Sequence, residues 1–303
     1  MSFRFVKMHG AANDYIYVDG FAQQREMAAY DLPALSREIS HRHTGIGADG
    51  LIVIMPPDGG VDAHVRMRMF NADGSESEMC GNGIRCVAKF AHDRGLTKAK
   101  PIRVQTGAGV LSIDFTTDAS DRVIAATVDM GEPILEPSRV PVDVRGASKV
   151  VNHSSDGLWS WSIDGGDAWV RTCGLDPRMT TVSMGNPHVV FYCDDAAAVP
   201  LASIGPVIEH ATVFPRRVNV HFVQVHTPAE VTMRTWERGS GITQACGTGA
   251  CAVCVAGVLT GRTDRELLAH LPGGDLRLRW DEGSNHVFKT GPAVTVFEGV
   301  WPR

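Results

Sequence analysis

Two cysteines in this chain head the same short pattern, Cys80-Gly81-Asn82-Gly83 and Cys246-Gly247-Thr248-Gly249. With 7 Cys and 32 Gly among 303 residues, Cys-Gly-x-Gly is expected less than once by chance, so its doubling needs a physical reason. Each cysteine sits where a glycine turn leads into an apolar helix, and there the unpaired backbone N–H groups and the positive end of the helix dipole favour an anion. A thiol in that position ionises more readily than an ordinary one. The N–H groups of Gly81-Asn82 and Gly247-Thr248 can also hold a carboxylate, because glycine lets a ligand approach the backbone closely. Two such turns facing one cleft would put a cysteine on either side of the carbon beside the carboxylate. One thiolate would remove a proton from one face while the opposite thiol delivered one to the other, which inverts a stereocentre. The carbanion would delocalise into the bound carboxylate, where the helix dipoles stabilise it.

Other thiol chemistries fit the spacing less well. Cys251-Ala252-Val253-Cys254 offers a Cys-x-x-Cys for zinc or for redox exchange, but it lies inside a helix, five residues past the turn, and lacks a second zinc knuckle. A cysteine hydrolase would pair one thiol with a histidine such as His188 and leave the second Cys-Gly-x-Gly without a purpose. Cys86, Cys173 and Cys193 read as small core residues. With an odd number of cysteines and no secretory signal at the start of the sequence, reduced thiols in the cytoplasm are expected.

The elements that must carry these turns repeat. Ile84, Val87, Ala88 and Ala91 follow the rhythm of a helix with one apolar face, and Ala250, Val253, Cys254 and Gly257 follow it again 166 residues later. Met8-His9-Gly10-Ala11-Ala12-Asn13 leads into an apolar run, as Met184-Gly185-Asn186 does in the second half. This is the trace of a duplicated domain. Strand character falls at 3–8, 15–19, 51–55, 65–70, 102–105 and 110–115, then at 159–163, 179–183, 188–193, 219–226, 231–236 and 276–280. Helices are expected only at 33–39, 84–94, 201–210 and 250–259. Many short strands with few helices predict an α+β fold, each half a strand-rich layer curled around one central helix. The seam is expected at Met130-Gly131-Glu132-Pro133. The domains are then 1–130 with a returning segment 292–303, carrying Cys80, and 131–291, carrying Cys246.

Composition narrows the partners. A net charge of −5 without a basic, aromatic-interleaved cluster argues against nucleic acid. No apolar run is long enough to span a membrane. A small molecule is the expected partner.

At these residues the chain resembles the diaminopimelate epimerases, cofactor-independent amino-acid epimerases. The resemblance covers nearly the whole chain. It rests on Lys7-Met8-His9-Gly10 with Asn13-Asp14-Tyr15, on Gly45-Ile46-Gly47-Ala48-Asp49-Gly50, on Phe70-Asn71-Ala72-Asp73-Gly74-Ser75, and on the block from Met79 through Arg85. In the second half it rests on Ser183-Met184-Gly185-Asn186-Pro187-His188, on Arg217-Val218-Asn219, and on Glu237-Arg238-Gly239 through Cys246-Gly247-Thr248-Gly249. The resemblance implies a homodimer of two-domain subunits with Cys80 and Cys246 as the acid/base pair, no pyridoxal phosphate and no metal. It implies the conversion of LL- to meso-diaminopimelate on the route to lysine and peptidoglycan. Substrate ligands carry over to Asn13, Asn71, Asn186, Asn219, Glu237 and Arg238, with Gly81-Asn82 and Gly247-Thr248 on the reacting carboxylate. His188 and Glu237 match residues that tune the thiols. Four places depart from the family pattern: Gly50 stands where some members carry a Gln ligand, Ala11-Ala12 where Gly is frequent, Tyr15 where Phe is common, and Val220-His221 where small residues follow Asn219. A proline, hydroxyproline or histidine racemase with the same thiols is the alternative, although proline-type racemases typically carry Cys-Gly-His where this chain has Cys80-Gly81-Asn82.

Overall fold

The computed structural model describes residues 2–302. The chain divides into two units, one running to Asp129 and resuming at Thr290, the other spanning Met130–Lys289.

In the first unit β1 (Phe3–Gly10) and β2 (Asn13–Asp19) form a hairpin whose two loop residues, Ala11 and Ala12, take φ of 54° and 61°. Left-handed values at both positions belong to a type I′ turn, whose twist suits a hairpin and whose steric cost alanine normally avoids. Next come α1 (Gln24–Ala28) and α2 (Leu32–Ser40), the latter capped by the Asp31 carboxylate, which accepts from the Ala34 N–H. β3 (Gly50–Met55), β4 (Val65–Asn71), β5 (Glu76–Ser77), α3 (Gly83–Asp93), β6 (Ile102–Thr106), β7 (Gly109–Thr117) and β8 (Val123–Asp129) complete the run. Pairing is antiparallel for β1–β2, parallel for β2–β3, antiparallel for β3–β4, parallel for β4–β6 and antiparallel for β6–β7 and β7–β8. The sheet curls around α3, whose Ile84, Val87, Ala88 and Ala91 are wholly buried, as their spacing predicts.

The second unit repeats this plan. It contains β9 (His153–Ser154), α4 (Ala168–Thr172), β10 (Asp176–Ser183), β11 (Pro187–Tyr192), α5 (Leu201–Glu209), β12 (Asn219–Thr227), β13 (Glu230–Glu237), β14 (Gly241–Ile242), α6 (Gly247–Leu259), β15 (Glu266–Leu271) and β16 (Gly274–Trp280). From β10 onward the pairing runs antiparallel, parallel, antiparallel, parallel, antiparallel through β11, β12, β13, β15 and β16, the order of β1, β2, β3, β4, β6 and β7. α6 packs on β10, β11, β12, β15 and β16 and is buried without a break from Gly249 to Gly257. β17 (Val287–Pro292) crosses the unit boundary, and β18 (Val294–Trp301) lies antiparallel to β1. The fold is α+β, two units of one topology, each built around a single central helix.

One expected strand does not form. Residues 159–163 are irregular because Trp159 and Trp161 turn inward together, packing against Trp169, Phe191 and Phe214, while the Trp161 carbonyl accepts from the Trp169 indole at 3.0 Å. Alternating tryptophans mimic strand periodicity, yet an aromatic cluster uses them equally well. β8, β15 and β17, and the two-residue strands β5, β9 and β14, were not expected from sequence. The Leu-rich stretch of β15 lacks β-branched residues and enters the sheet through its parallel partner β13.

Candidate active site

In the first unit Cys80 stands just ahead of α3, and the thiol has three neighbours. The Gly83 N–H donates to Sγ at 3.3 Å, the thiol donates to Asn13 Oδ1 at 3.2 Å, and the Tyr15 hydroxyl lies within hydrogen-bond reach. The Asn13 amide is held from its other side by Asp49, Nδ2 to Oδ2 at 2.7 Å, and Asp49 also pairs with Arg42 at 2.8 Å. Arg85, wholly buried in the first turn of α3, donates to the Gly81 carbonyl and to Asn82 Oδ1, both at 3.0 Å, and to the Pro292 carbonyl at 3.2 Å. It therefore fixes the Gly81-Asn82 peptide groups that the sequence assigns to a carboxylate. Tyr17 anchors the same turn, its hydroxyl donating to the Gly83 carbonyl at 3.1 Å. Asn71, at the end of β4, donates to Ser75 Oγ at 2.9 Å.

In the second unit Cys246 is the N-cap of α6 and is buried. The Gly249 N–H donates to its sulfur as Gly83 does to Cys80, and the Ala250 N–H meets the Cys246 carbonyl at 3.0 Å as the Ile84 N–H meets that of Cys80 at 2.9 Å. The Thr248 hydroxyl lies 3.8 Å from Sγ. Burial, and then the Glu237 carboxylate beside it, push the Cys246 thiol well above the usual range. Burial raises Glu237 in turn, against hydrogen bonds from Thr243 and Cys246. The two groups thus compete to stay neutral, and a proton passing between them changes the net charge of neither the pair nor its surroundings.

His188 and His221 form a buried pair with Nδ1 and Nε2 at 2.9 Å; His188 Nε2 faces Asn186 Oδ1 at 2.9 Å, and Asn186 Nδ2 donates to Thr248 Oγ1 at 3.3 Å. Burial first, then the neighbouring His221 and Arg238, hold His188 well below the usual imidazole range, and burial pushes His221 down to about 3. Both rings are neutral at physiological pH. Asn219 has both ends of its amide occupied, donating to the Pro187 carbonyl at 2.8 Å and accepting from the Arg238 N–H at 3.0 Å, and Arg238 reaches the Arg216 carbonyl at 3.0 Å.

Most of the sequence-assigned residues thus gather around the two turns, Asn13, Gly81 and Asn82 by Cys80, and Asn186, His188, Glu237, Gly247 and Thr248 by Cys246, with Asn219 holding the Arg238 turn, while Asn71 bonds Ser75 at the end of β4. Sequence reasoning passed over Asp49, Arg85, Thr243 and Thr235, whose hydroxyl lies 2.9 Å from His221 Nδ1, and noticed Tyr15 and His221 only as departures. For His221 a signal was present: it lies two positions after Asn219 on a strand, and so on the same face. Among the described residues, the polar atoms of His188, His221 and Cys246 lie within 4.8 Å of one another, the geometry of a metal-binding trio. The facing lone pair of that imidazole pair is already taken by their mutual hydrogen bond, so an ion there would have to break it. Cys251 and Cys254 are buried within α6, and burial pushes Cys254 up to about 12, the mark of an inert core thiol.

The diaminopimelate epimerase profile matches residues 5–136 and 180–296, which include both thiol turns. The chain belongs to the diaminopimelate epimerase family. It is 46% identical over 298 residues to the diaminopimelate epimerase of Moorella thermoacetica, covering 98% of this chain and 99% of the relative. Among solved structures, a phenazine biosynthesis protein from Bacillus anthracis superposes with a TM-score of 0.70 at 17% identity over 100% of both chains. A hydroxyproline epimerase from Agrobacterium vitis, solved with trans-4-hydroxy-L-proline, gives 0.60 at 14% identity over 99% of this chain and 91% of that one. Those two likenesses speak for the fold alone. Membership of the epimerase family makes this chain an isomerase, and no helix among the described residues is long and apolar enough to cross a membrane.

Proposed function

We propose that this chain interconverts LL- and meso-2,6-diaminopimelate with two thiols, Cys80 and Cys246, one taking the α-proton from one face of the carbon while the other delivers its own proton to the opposite face. What carries the reading is the repetition of one hydrogen-bond pattern at both turns, Gly83 N–H on Cys80 and Gly249 N–H on Cys246, in a chain so close to a diaminopimelate epimerase over its whole length. Each unit is the domain that supplies one thiol. Glu237 accepts the Cys246 proton, and the resulting thiolate, steadied by the Gly249 N–H and the Thr248 hydroxyl, removes the α-proton. The Cys80 thiol, already aligned as a donor toward Asn13, gives its proton to the opposite face of the carbanion. The C–H electron pair passes into the carboxylate, held by the N–H groups of Gly81-Asn82 and Gly247-Thr248. The reverse reaction exchanges the roles of the thiols. Asn71, Asn219 and Arg238 orient the far ammonium and carboxylate, while Asn13, Asn186 and Glu237, beside Cys80, Thr248 and Cys246, bind at the reacting end. No pyridoxal phosphate takes part.

The reading extends to a cytoplasmic enzyme of lysine and peptidoglycan precursor synthesis that works as a homodimer. Apolar side chains left exposed on β18, Val294, Val296 and Val300, support the dimer. Incubation in deuterated buffer under reducing conditions with LL-diaminopimelate, L-proline or L-histidine, followed by NMR of the α-position, tests the substrate. Solvent deuterium should enter diaminopimelate alone. Entry into another amino acid would overturn the substrate and keep the thiol chemistry; entry into none would overturn both.

A further inference from the structure

The polar groups of the second unit form one hydrogen-bonded file ending at Cys246, and its direction follows from the chemistry of each member. Asn186 Oδ1 only accepts, so His188, 2.9 Å away, donates through Nε2–H. A neutral His188 then has a bare Nδ1, which accepts from His221 Nε2–H at 2.9 Å. That leaves His221 Nδ1 bare, and it accepts from the Thr235 hydroxyl at 2.9 Å. At the other end Asn186 Nδ2 donates to Thr248 Oγ1 at 3.3 Å, which turns the Thr248 proton toward its remaining neighbour, Cys246 Sγ at 3.8 Å. Every donor from Thr235 to Thr248 points toward the sulfur.

The backbone is arranged to admit His221. Parallel pairing sets His188 opposite Asn219, which brings the ring two residues further along β12 beside the His188 ring, with centroids 5.1 Å apart. On α6 a Cβ at Gly249 would stand 2.3 Å from His221 Cε1 and 3.0 Å from Cys246 Sγ, so the glycine of the second Cys-Gly-x-Gly makes room for an imidazole next to the sulfur.

We propose that His221 is a positioning residue: it holds His188 in the Nε2–H tautomer and so keeps the Thr248 hydroxyl directed at the Cys246 thiolate. Without it His188 is free to carry its proton on Nδ1, the Asn186 amide loses its fixed orientation, and the thiolate loses a donor. The catalytic meaning rests on Cys246 being one of the reacting thiols, but the file itself is read on the thiol directly.

Peptide-resolved alkylation by iodoacetamide at a single neutral pH tests it, with Cys80 of the same chain as the internal standard. His221→Phe keeps the ring volume and removes both hydrogen bonds. It should slow Cys246 relative to Cys80 about tenfold, the cost of one hydrogen bond to a charged group. A merely loosened fold would expose Cys246 and speed it instead. His221→Gln can accept from Thr235 and donate to His188, so it should restore most of the rate. Imidazole 15N shifts in the parent should show His188 and His221 as Nε2–H tautomers. An unchanged or faster Cys246 in His221→Phe, or a His188 protonated on Nδ1 in the parent, overturns the proposal. Since no substrate is present, these outcomes stand apart from any failure of epimerisation.

Discussion

The Tyr15 ring occupies the space that a side chain at Gly50 would need: a Cβ at Gly50 would stand 2.9 Å from Tyr15 Cε1 and 2.1 Å from the Phe70 carbonyl oxygen. A position without a side chain admits a buried aromatic ring, and the tyrosine adds to that ring a hydroxyl that reaches Cys80 and Asn13. Burial, then the nearby Cys80 and Asp49, keep that hydroxyl protonated throughout the physiological range, so toward a Cys80 thiolate it acts as a donor.

Gly50→Ala should accordingly cost about 1–3 kcal/mol of stability, because the obstructing Phe70 oxygen is backbone. Tyr15→Phe should leave the fold intact and lower kcat about tenfold with little change in KM, the loss of one donor to a charged sulfur. Thermal unfolding and steady-state kinetics of the two variants check this; a Tyr15→Phe enzyme with parental kcat would remove the hydroxyl from the account.

Arg85 is the second support of the Cys80 turn. Arg85→Met keeps most of the side-chain length but leaves the Gly81 and Pro292 carbonyls without their donor. A loss of about 3 kcal/mol in urea unfolding is expected, with faster alkylation of Cys80 as the turn loosens. An Arg85→Met protein as stable as the parent would show that other groups satisfy those carbonyls.

The histidine pair predicts an acid-labile second unit. Folded His188 and His221 bind protons less readily than they do in the unfolded chain, His221 at about 3 against an ordinary 6.5. As pH falls below about 6.5 the unfolded state takes up protons that the folded state does not, so stability drops on acidification and is fully present above that value. The urea midpoint should decline from pH about 7 to about 4, and His221→Gln should flatten the decline. Equal slopes in parent and variant would contradict the burial of a neutral pair.

How much of this was legible in sequence depends on how local the cause is. The two thiol turns and their helices could be read directly, since glycine and a helical apolar stripe act within a few residues, and Ile84, Val87, Ala88 and Ala91 are buried as spaced. The doubled plan was legible from the offset of those stripes. Register was not. That His221 meets His188 depends on the parallel pairing of β11 with β12, and that Tyr15 fits against Gly50 depends on the pairing of β2 with β3, neither of which any local pattern encodes. The aromatic cluster at Trp159 and Trp161 misled for the same reason, its partners lying far along the chain.

The exposed face of β18 predicts the assembly. Val296 and Val300 are 54% and 59% exposed, large values for valines on one strand. Val296→Glu with Val300→Glu should convert a dimer to a monomer in light scattering coupled to size exclusion. A parent that is already monomeric, or a dimer untouched by the pair, would place the contact elsewhere.

The central claim is that two thiols act on one α-carbon, and the most direct measurement is epimerisation of LL-diaminopimelate, followed by NMR in deuterated buffer under reducing conditions, for the parent, Cys80→Ala and Cys246→Ala. The account predicts meso product and α-deuterium with the parent and loss of epimerisation in both variants, with folding retained by circular dichroism. Full epimerisation by either variant would contradict it, because one thiol fixed on one side of the carbon cannot deliver a proton to the other.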